Sequence, residues 1–211
     1  MSELIELHKQ IAACTKCDLH RTRTHAVPGA GDPEARIMFI GEGPGFHEDR
    51  QGLPFVGPAG HLLDELLASI GLDRAEVFIT NVVKCRPPNN RDPEPIEIEA
   101  CDPYLQRQLA LINPEIVVTL GRHSMARFLG PNQSISRIHG QAVRVNGRIV
   151  LPLFHPAAAL RQERYRHDLQ EDFLLLPRLL SGELKVGTAA ELFTSGRRPP
   201  AEKGPTQLNL L

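Results

Sequence analysis

Apolar residues along this chain recur with two different periods. Residues 2–13, SELIELHKQIAA, put Leu4, Ile5, Leu7, Ile11 and Ala12 on one stripe at helical spacing, with Ser2 as the cap. Residues 36–40 (RIMFI), 77–83 (VFITNVV) and 116–120 (IVVTL) are instead short, nearly continuous apolar runs, as strands buried on both faces are. Helical patterns return at about 61–70, at 95–112 and in RHSMARFL, 122–129. Residues 143–153 predict a hairpin turning at Asn146–Gly147. A helix is expected over 164–180, with Pro177 kinking or ending it. Strands alternating with helices predict an α/β fold in a single domain, a small central parallel sheet flanked by helices, spanning 1–194. Residues 195–211 are polar and proline-rich at first and predict a disordered tail.

The stretch 41–60, GEGPGFHEDRQGLPFVGPAG, stands where such a fold places a ligand, between a strand and the following helix. It has neither the GxxxxGK[ST] nor the GxGxxG pattern, so neither nucleotide fingerprint applies. Glu42, Glu48 and Asp49 would repel phosphate, and Phe55 adds one aromatic face among backbone-permissive residues. Such a pocket suits a flat, neutral, hydrogen-bonding ligand with the shape of a nucleobase. A second loop, 84–95 (KCRPPNNRDPEP), holds four prolines and two asparagines and predicts an irregular surface segment.

Composition narrows the classes. The chain has 211 residues, enough for one full core, and a formal net charge of -1. A bulk nucleic-acid binder would be basic, so any DNA contact must use segregated basic patches. No apolar run is long enough to span a membrane and no signal-peptide pattern opens the chain, which predicts a cytoplasmic protein. The four cysteines are Cys14 and Cys17 in a CxxC pair, then Cys85 and Cys101. In a reducing compartment a disulfide framework is not expected, and four thiolates suit either zinc or an iron–sulfur cluster. The spacing does not choose between them. A thiolate-saturated metal has no open position, so its role would be structural, pinning the N-terminal helix and the 84–101 segment to the sheet.

Set side by side, GEGPG (41–45), GLPFVGPAG (52–60), ITNVVKCRPPNNR (79–91) and FHPAAALR (154–161) resemble the family 4 uracil-DNA glycosylases, the iron–sulfur type. The resemblance covers about residues 1–180 and implies the uracil-DNA glycosylase fold and release of uracil from DNA, the first step of base excision repair. It also implies a structural [4Fe–4S] cluster on Cys14, Cys17, Cys85 and Cys101. Uracil would lie against Phe55, pair with the amide of Asn81, and be rimmed by Glu42, Gly43 and Pro44. Glu48 would form the wall that excludes the thymine methyl. His155, which taken alone reads as a strand-end histidine satisfying a carbonyl, would face uracil O2 and stabilise the leaving group. Family 1 enzymes carry an aspartate in this first loop. Here Gly43 stands at the corresponding position, which leaves Glu42 to help position water. Residues 157–166 resemble the intercalating loop, with Leu160 or Arg161 filling the hole left by the flipped base and Arg137, Arg161, Arg164 and Lys84 meeting phosphates. The insertion of the covalent-linking relatives would follow Val83, where this chain goes straight to KCRPPNNR. The last residues, Gln207, Leu208, Asn209, Leu210 and Leu211, resemble a sliding-clamp-binding peptide, with Gln207, Leu208, Leu210 and Leu211 as anchors. A monomer is expected.

Overall fold

A computed structural model describes residues 2–189 and 191. The tail expected from 195 and the residues expected to anchor a sliding clamp, Gln207, Leu208, Leu210 and Leu211, lie outside the described residues. The sheet is built on four strands, β2 (Ile37–Gly41), β3 (Phe78–Asn81), β4 (Ile116–Leu120) and β6 (Arg148–Leu153). They run parallel in the spatial order β3-β2-β4-β6. Two-residue β1 (Ala30–Gly31) pairs antiparallel with β3 at one edge. At the other edge, β5 (Val143–Val145) forms the hairpin with β6 and in turn pairs with β7 (Gly187–Thr188). Both hairpin-turn residues have positive φ, 48° at Asn146 and 82° at Gly147, as a type I′ turn requires.

The apolar runs divide between two cores with a period of two. Met38 and Ile40 of β2 and Val117 of β4 face one cluster. Ile37 and Phe39, with Ile116, Val118 and Leu120, face the other. On the first face pack α1 (Ser2–Ala12), through Leu4, Leu7 and Ile11, and α4 (Pro95–Ile112), through Leu105, Leu109 and Ile112. On the second pack α3 (Pro58–Ser69) and the pair α8 (Glu163–Phe173) and α9 (Leu175–Leu180). Phe173 stacks on Phe39 with ring centroids 5.8 Å apart.

Several elements depart from the sequence expectation. The loop after β2 contains a short helix, α2 (Phe46–Gln51), and α3 starts earlier than the apolar stripe implies because Pro58 opens its first turn. The strand expected at 77–83 is shorter. Val82 and Val83 instead donate to Gly41 O and Glu42 O as the chain turns out of the sheet. The helix expected over 164–180 is two helices broken at Leu174. Pro177 supplies no N–H and its ring would crowd the carbonyl of Phe173, which is where the first helix ends. Three further helices, α5 (Arg122–Leu129), α6 (Ile135–Ile138) and α7 (Pro156–Ala159), follow β4, precede the hairpin and follow β6. No helix among the described residues is long and apolar enough to cross a membrane.

Candidate active site and cysteine cluster

The carboxyl ends of β2, β3 and β6 converge on one cavity of about 450 Å³. Glu42 follows β2, Asn81 ends β3, and His155 follows β6. Every residue expected to surround a base lines this cavity: Glu42, Gly43, Pro44, Glu48, Phe55, Asn81 and His155. Pro87, Asn90 and Arg91 from the loop after β3, and Ala157, Ala158 and Arg161 after β6, complete the wall.

Asn81 is held by register. The parallel pairing of β2 and β3 sets it beside Gly41, where a Cβ would lie 2.3 Å from Asn81 Oδ1 and 2.7 Å from the Phe55 ring. The missing side chain at Gly41 is what lets the amide and the ring share the pocket floor. Asn81 Oδ1 is buried and has no hydrogen-bond partner among the described residues, an acceptor whose burial is costly until a ligand donor meets it.

Phe55 has a φ of 51°, an uncommon conformation for an aromatic residue. Its carbonyl is held by Arg74 Nη1 at 2.8 Å; Arg74 also donates to Pro54 O and binds Asp64 at 2.9 Å. Gly60 permits the close approach of this turn, since a Cβ there would lie 1.8 Å from Phe55 O. Glu48 spans the cavity edge. Its carboxylate accepts N–H bonds from Gly45 (3.1 Å), Val56 (2.8 Å) and Gly57 (2.9 Å), tying the two ends of the loop together.

His155 is stacked near Phe55, centroids 5.6 Å apart and planes 27° from parallel. Its Nδ1 accepts the N–H of Ala157 at 3.1 Å, which leaves Nε2 as the protonated, donating nitrogen of a neutral ring. Burial pushes its pKa down to about 4, against a weaker opposing pull from Glu48.

Around Glu42 lies a group that sequence reading missed. His123 Nε2, from α5 after β4, stands 3.3 Å from Asp92 and 3.7 Å from Glu42. One ligand atom from each of the three lies within 4.8 Å of the others. Nε2 is buried beside both carboxylates but makes no hydrogen bond to either. Burial raises the Glu42 pKa; His123 opposes this, Asp92 adds to it, and Arg122 opposes it. Neither His123 nor Asp92 sits in a motif, and only the topology brings them to Glu42.

The four cysteines, all free thiols, line a second, smaller site between α1, the loop after β3 and α4. Donors point at their sulfurs: Arg23 Nη1 at 3.1 Å from Cys85, and the Lys84 and Lys16 amides at 3.3 and 3.5 Å from Cys101 and Cys14. Burial raises the pKa values of Cys17, Cys85 and Cys101, the last to about 11, and hydrogen-bond donors only partly oppose it. A bound metal displaces the thiol protons, so four sulfurs with N–H donors still fit a thiolate-bound metal group.

The expected DNA contacts fare differently. Arg161 is exposed at the cavity rim, Leu160 is 47% exposed beside it, and Arg137 and Arg164 are exposed on α6 and α8. Lys84 corrects the expectation. It is 1% exposed, and its ammonium donates to Thr80 Oγ1 (2.7 Å), Asn81 O (2.6 Å) and Gln108 Oε1 (2.7 Å). It faces the interior, where no phosphate reaches, because the turn after β3 folds it under the sheet end. Burial lowers its pKa to about 8.

A parallel sheet with a cavity at its carboxyl ends, floored by the Asn81 amide and the Phe55 ring, defines an α/β protein with a pocket of the size of a planar base. Comparison with known proteins makes this specific. The model of the uracil DNA glycosylase superfamily matches residues 28–174. The type-4 uracil-DNA glycosylase of Sulfurisphaera tokodaii is 51% identical, over 82% of this chain and 83% of its own length. That of Archaeoglobus fulgidus is 48% identical over 82% and 91%, and that of Saccharolobus solfataricus 46% over 97% of each chain. The chain belongs to the type-4 branch of the uracil DNA glycosylase superfamily.

The crowding at Gly41 makes a direct prediction. Gly41→Ala should lower affinity for free uracil at least about tenfold, as a misplaced buried partner group costs ~1–3 kcal/mol. Isothermal titration of the folded variant checks this; wild-type affinity would mean that Asn81 and Phe55 do not share the floor with the base.

Proposed function

We propose that this protein hydrolyses the N-glycosidic bond of uracil in DNA, releasing the free base and leaving an abasic site for base excision repair. The observation that carries the reading is Asn81 Oδ1, a buried acceptor on the floor of the cavity without a partner among the described residues. A uracil flipped from the stack presents N3–H to such an acceptor and O4 to the amide N–H. Cytosine presents the reverse pattern and leaves both groups mispaired. Phe55 covers the base face. Glu48, fully engaged with loop amides, keeps the 45–57 wall closed against the thymine methyl.

As the C1′–N1 bond breaks, negative charge builds on uracil O2. A neutral His155 with Nε2–H donates there, much as an oxyanion hole does. Water forms the new bond to C1′. Its proton passes to the Glu42 carboxylate, which His123 and Asp92 hold at the mouth of the site. Residues 160–161 enter the duplex, and residues 1–194 form the catalytic domain.

The four cysteines are read as ligands of a [4Fe–4S] cluster. When bound, the cluster supplies no chemistry to the reaction and acts as a clamp between α1, the loop after β3 and α4. The protein is read as a cytoplasmic monomer whose C-terminal QLNLL peptide binds the sliding clamp.

Three outcomes are expected. Wild-type protein should release uracil but not thymine from an oligonucleotide. His155→Ala should lose about 10²–10³ in rate and Asn81→Ala about 10–10²; no uracil release by folded wild type would overturn the reading. The rate should fall at low pH as Glu42 takes up a proton, at a pH above that of an ordinary glutamate. His155 stays neutral until about pH 4 and leaves this limb untouched. Glu42→Gln should lower the plateau and flatten the limb, and an unchanged limb in that variant would remove Glu42 from the proton path. Anaerobically purified protein should show the brown absorbance of an iron–sulfur cluster, lost in Cys101→Ala; a colourless, zinc-loaded sample would refute the cluster.

A further inference from the structure

Phe46 opens α2 directly after Gly45 of the cavity wall, yet it belongs to neither core and is 46% exposed. Two guanidinium groups approach its ring, Arg50 at 5.6 Å from the same helix and Arg86 at 5.3 Å from the loop after β3. Arg86 is aimed by its Nε bond to Asn90 Oδ1 at 2.7 Å, and Asn90 lines the cavity. About half of the described arginines have carboxylate partners, among them Arg36, Arg74, Arg91 and Arg122. Arg50 and Arg86 make no ion pair among the described residues.

In a chain of net charge -1, two uncompensated cations gathered about an exposed ring at the rim of a base pocket have a specific chemistry. The ring offers a stacking face for a base, and the guanidiniums reach the phosphates beside it. A lone exposed phenylalanine needs no explanation; one flanked by two unpaired arginines and continuous with the pocket wall does.

We propose that Phe46, Arg50 and Arg86 form a second nucleotide-binding surface. It takes the base and phosphates next to the flipped uracil on the same strand. This rests on the base-excision reading and adds a strand contact distinct from the 157–161 segment.

The chain contains no tryptophan, so Phe46→Trp places a single fluorophore on the proposed surface. The probe is a short single-stranded oligonucleotide with one central 2′-fluorinated deoxyuridine, whose fluorine disfavours positive charge at C1′ and keeps the bond intact. Phe46→Trp should bind it like wild type, with its emission quenched at saturation by stacking. Phe46→Ala should bind it roughly five- to a hundredfold more weakly. Arg50→Gln and Arg86→Gln should each reduce the slope of log affinity against log salt by about one. All three residues are at the surface, so thermal melting of every variant should match wild type. Wild-type affinity in Phe46→Ala, with unquenched Phe46→Trp, overturns this surface alone when wild type binds the probe and releases uracil. A wild type that does neither overturns the base-excision reading and this one together.

Discussion

The ammonium of Lys84 has left water and gained three oxygens, those of Thr80, Asn81 and Gln108. Its own amide donates to Cys101 and its carbonyl accepts from Val27. One residue thus fastens the end of β3, the middle of α4 and the loop before β1. A buried cation costs several kcal/mol unless charge and hydrogen bonds offset it. The carboxylate that raises its pKa, Asp102, is already bound to Arg127 at 2.6 Å. Cys101 is the other group that favours the charged ammonium. Burial pushes the Cys101 thiol itself up to about 11, so the three oxygens are what offset the cost of the buried ammonium. The base pocket and the cysteine cluster are therefore not independent modules: the peptide carrying Asn81 is positioned by the residue that touches the sulfurs.

The same logic explains what could be read from the chain beforehand. Strands β2 and β4 and the Asn146–Gly147 hairpin were visible because each depends on local pattern: period two, continuous burial, a turn with positive φ. Asn81, Phe55 and His155 were visible through the motif blocks around them, and all line one cavity. Lys84 misled because a lysine in a polar, proline-rich loop has the composition of a surface residue. Its burial is set by Thr80 four residues before it and Gln108 twenty-four after it, and only the fold brings these together. His123, Asp92 and Arg74 carried no signal for the same reason. Each acts on a pocket residue distant in sequence: His123 and Asp92 on Glu42, and Arg74 on the Phe55 carbonyl.

Desolvation shifts two titratable groups of the cavity, His155 and Glu42, in opposite directions. It penalises charge on both, so His155 is kept neutral and Glu42 is pushed toward its protonated form. For His155 this is the state that serves: a neutral donor fixed by the Ala157 amide needs no proton from solvent and does not attract stray anions. For Glu42 burial works against the carboxylate, and the neighbouring His123 offsets part of that penalty. A group that is easily protonated is also one that readily accepts a proton from water, so the penalty and the use are the same property.

The acidic character of the pocket has a further consequence for DNA. Glu42, Glu48 and Asp92 line or adjoin a cavity that must admit a nucleotide from a phosphate chain, on a protein of net charge -1. The carboxylates of Glu42 and Glu48 disfavour phosphate in the cavity, and the arginines of its lining are Arg91 and Arg161. Attraction of the backbone then falls to the rim, where Arg161 stands on one segment and Arg86 and Arg50 on another. Separating the two charges gives each region one role. On the base-excision reading, the rim would hold the strand and the interior would select a planar, uncharged, correctly hydrogen-bonding ring. Selectivity for the base then arises from burial, because a wrong ring leaves Asn81 unpaired where no water can reach it.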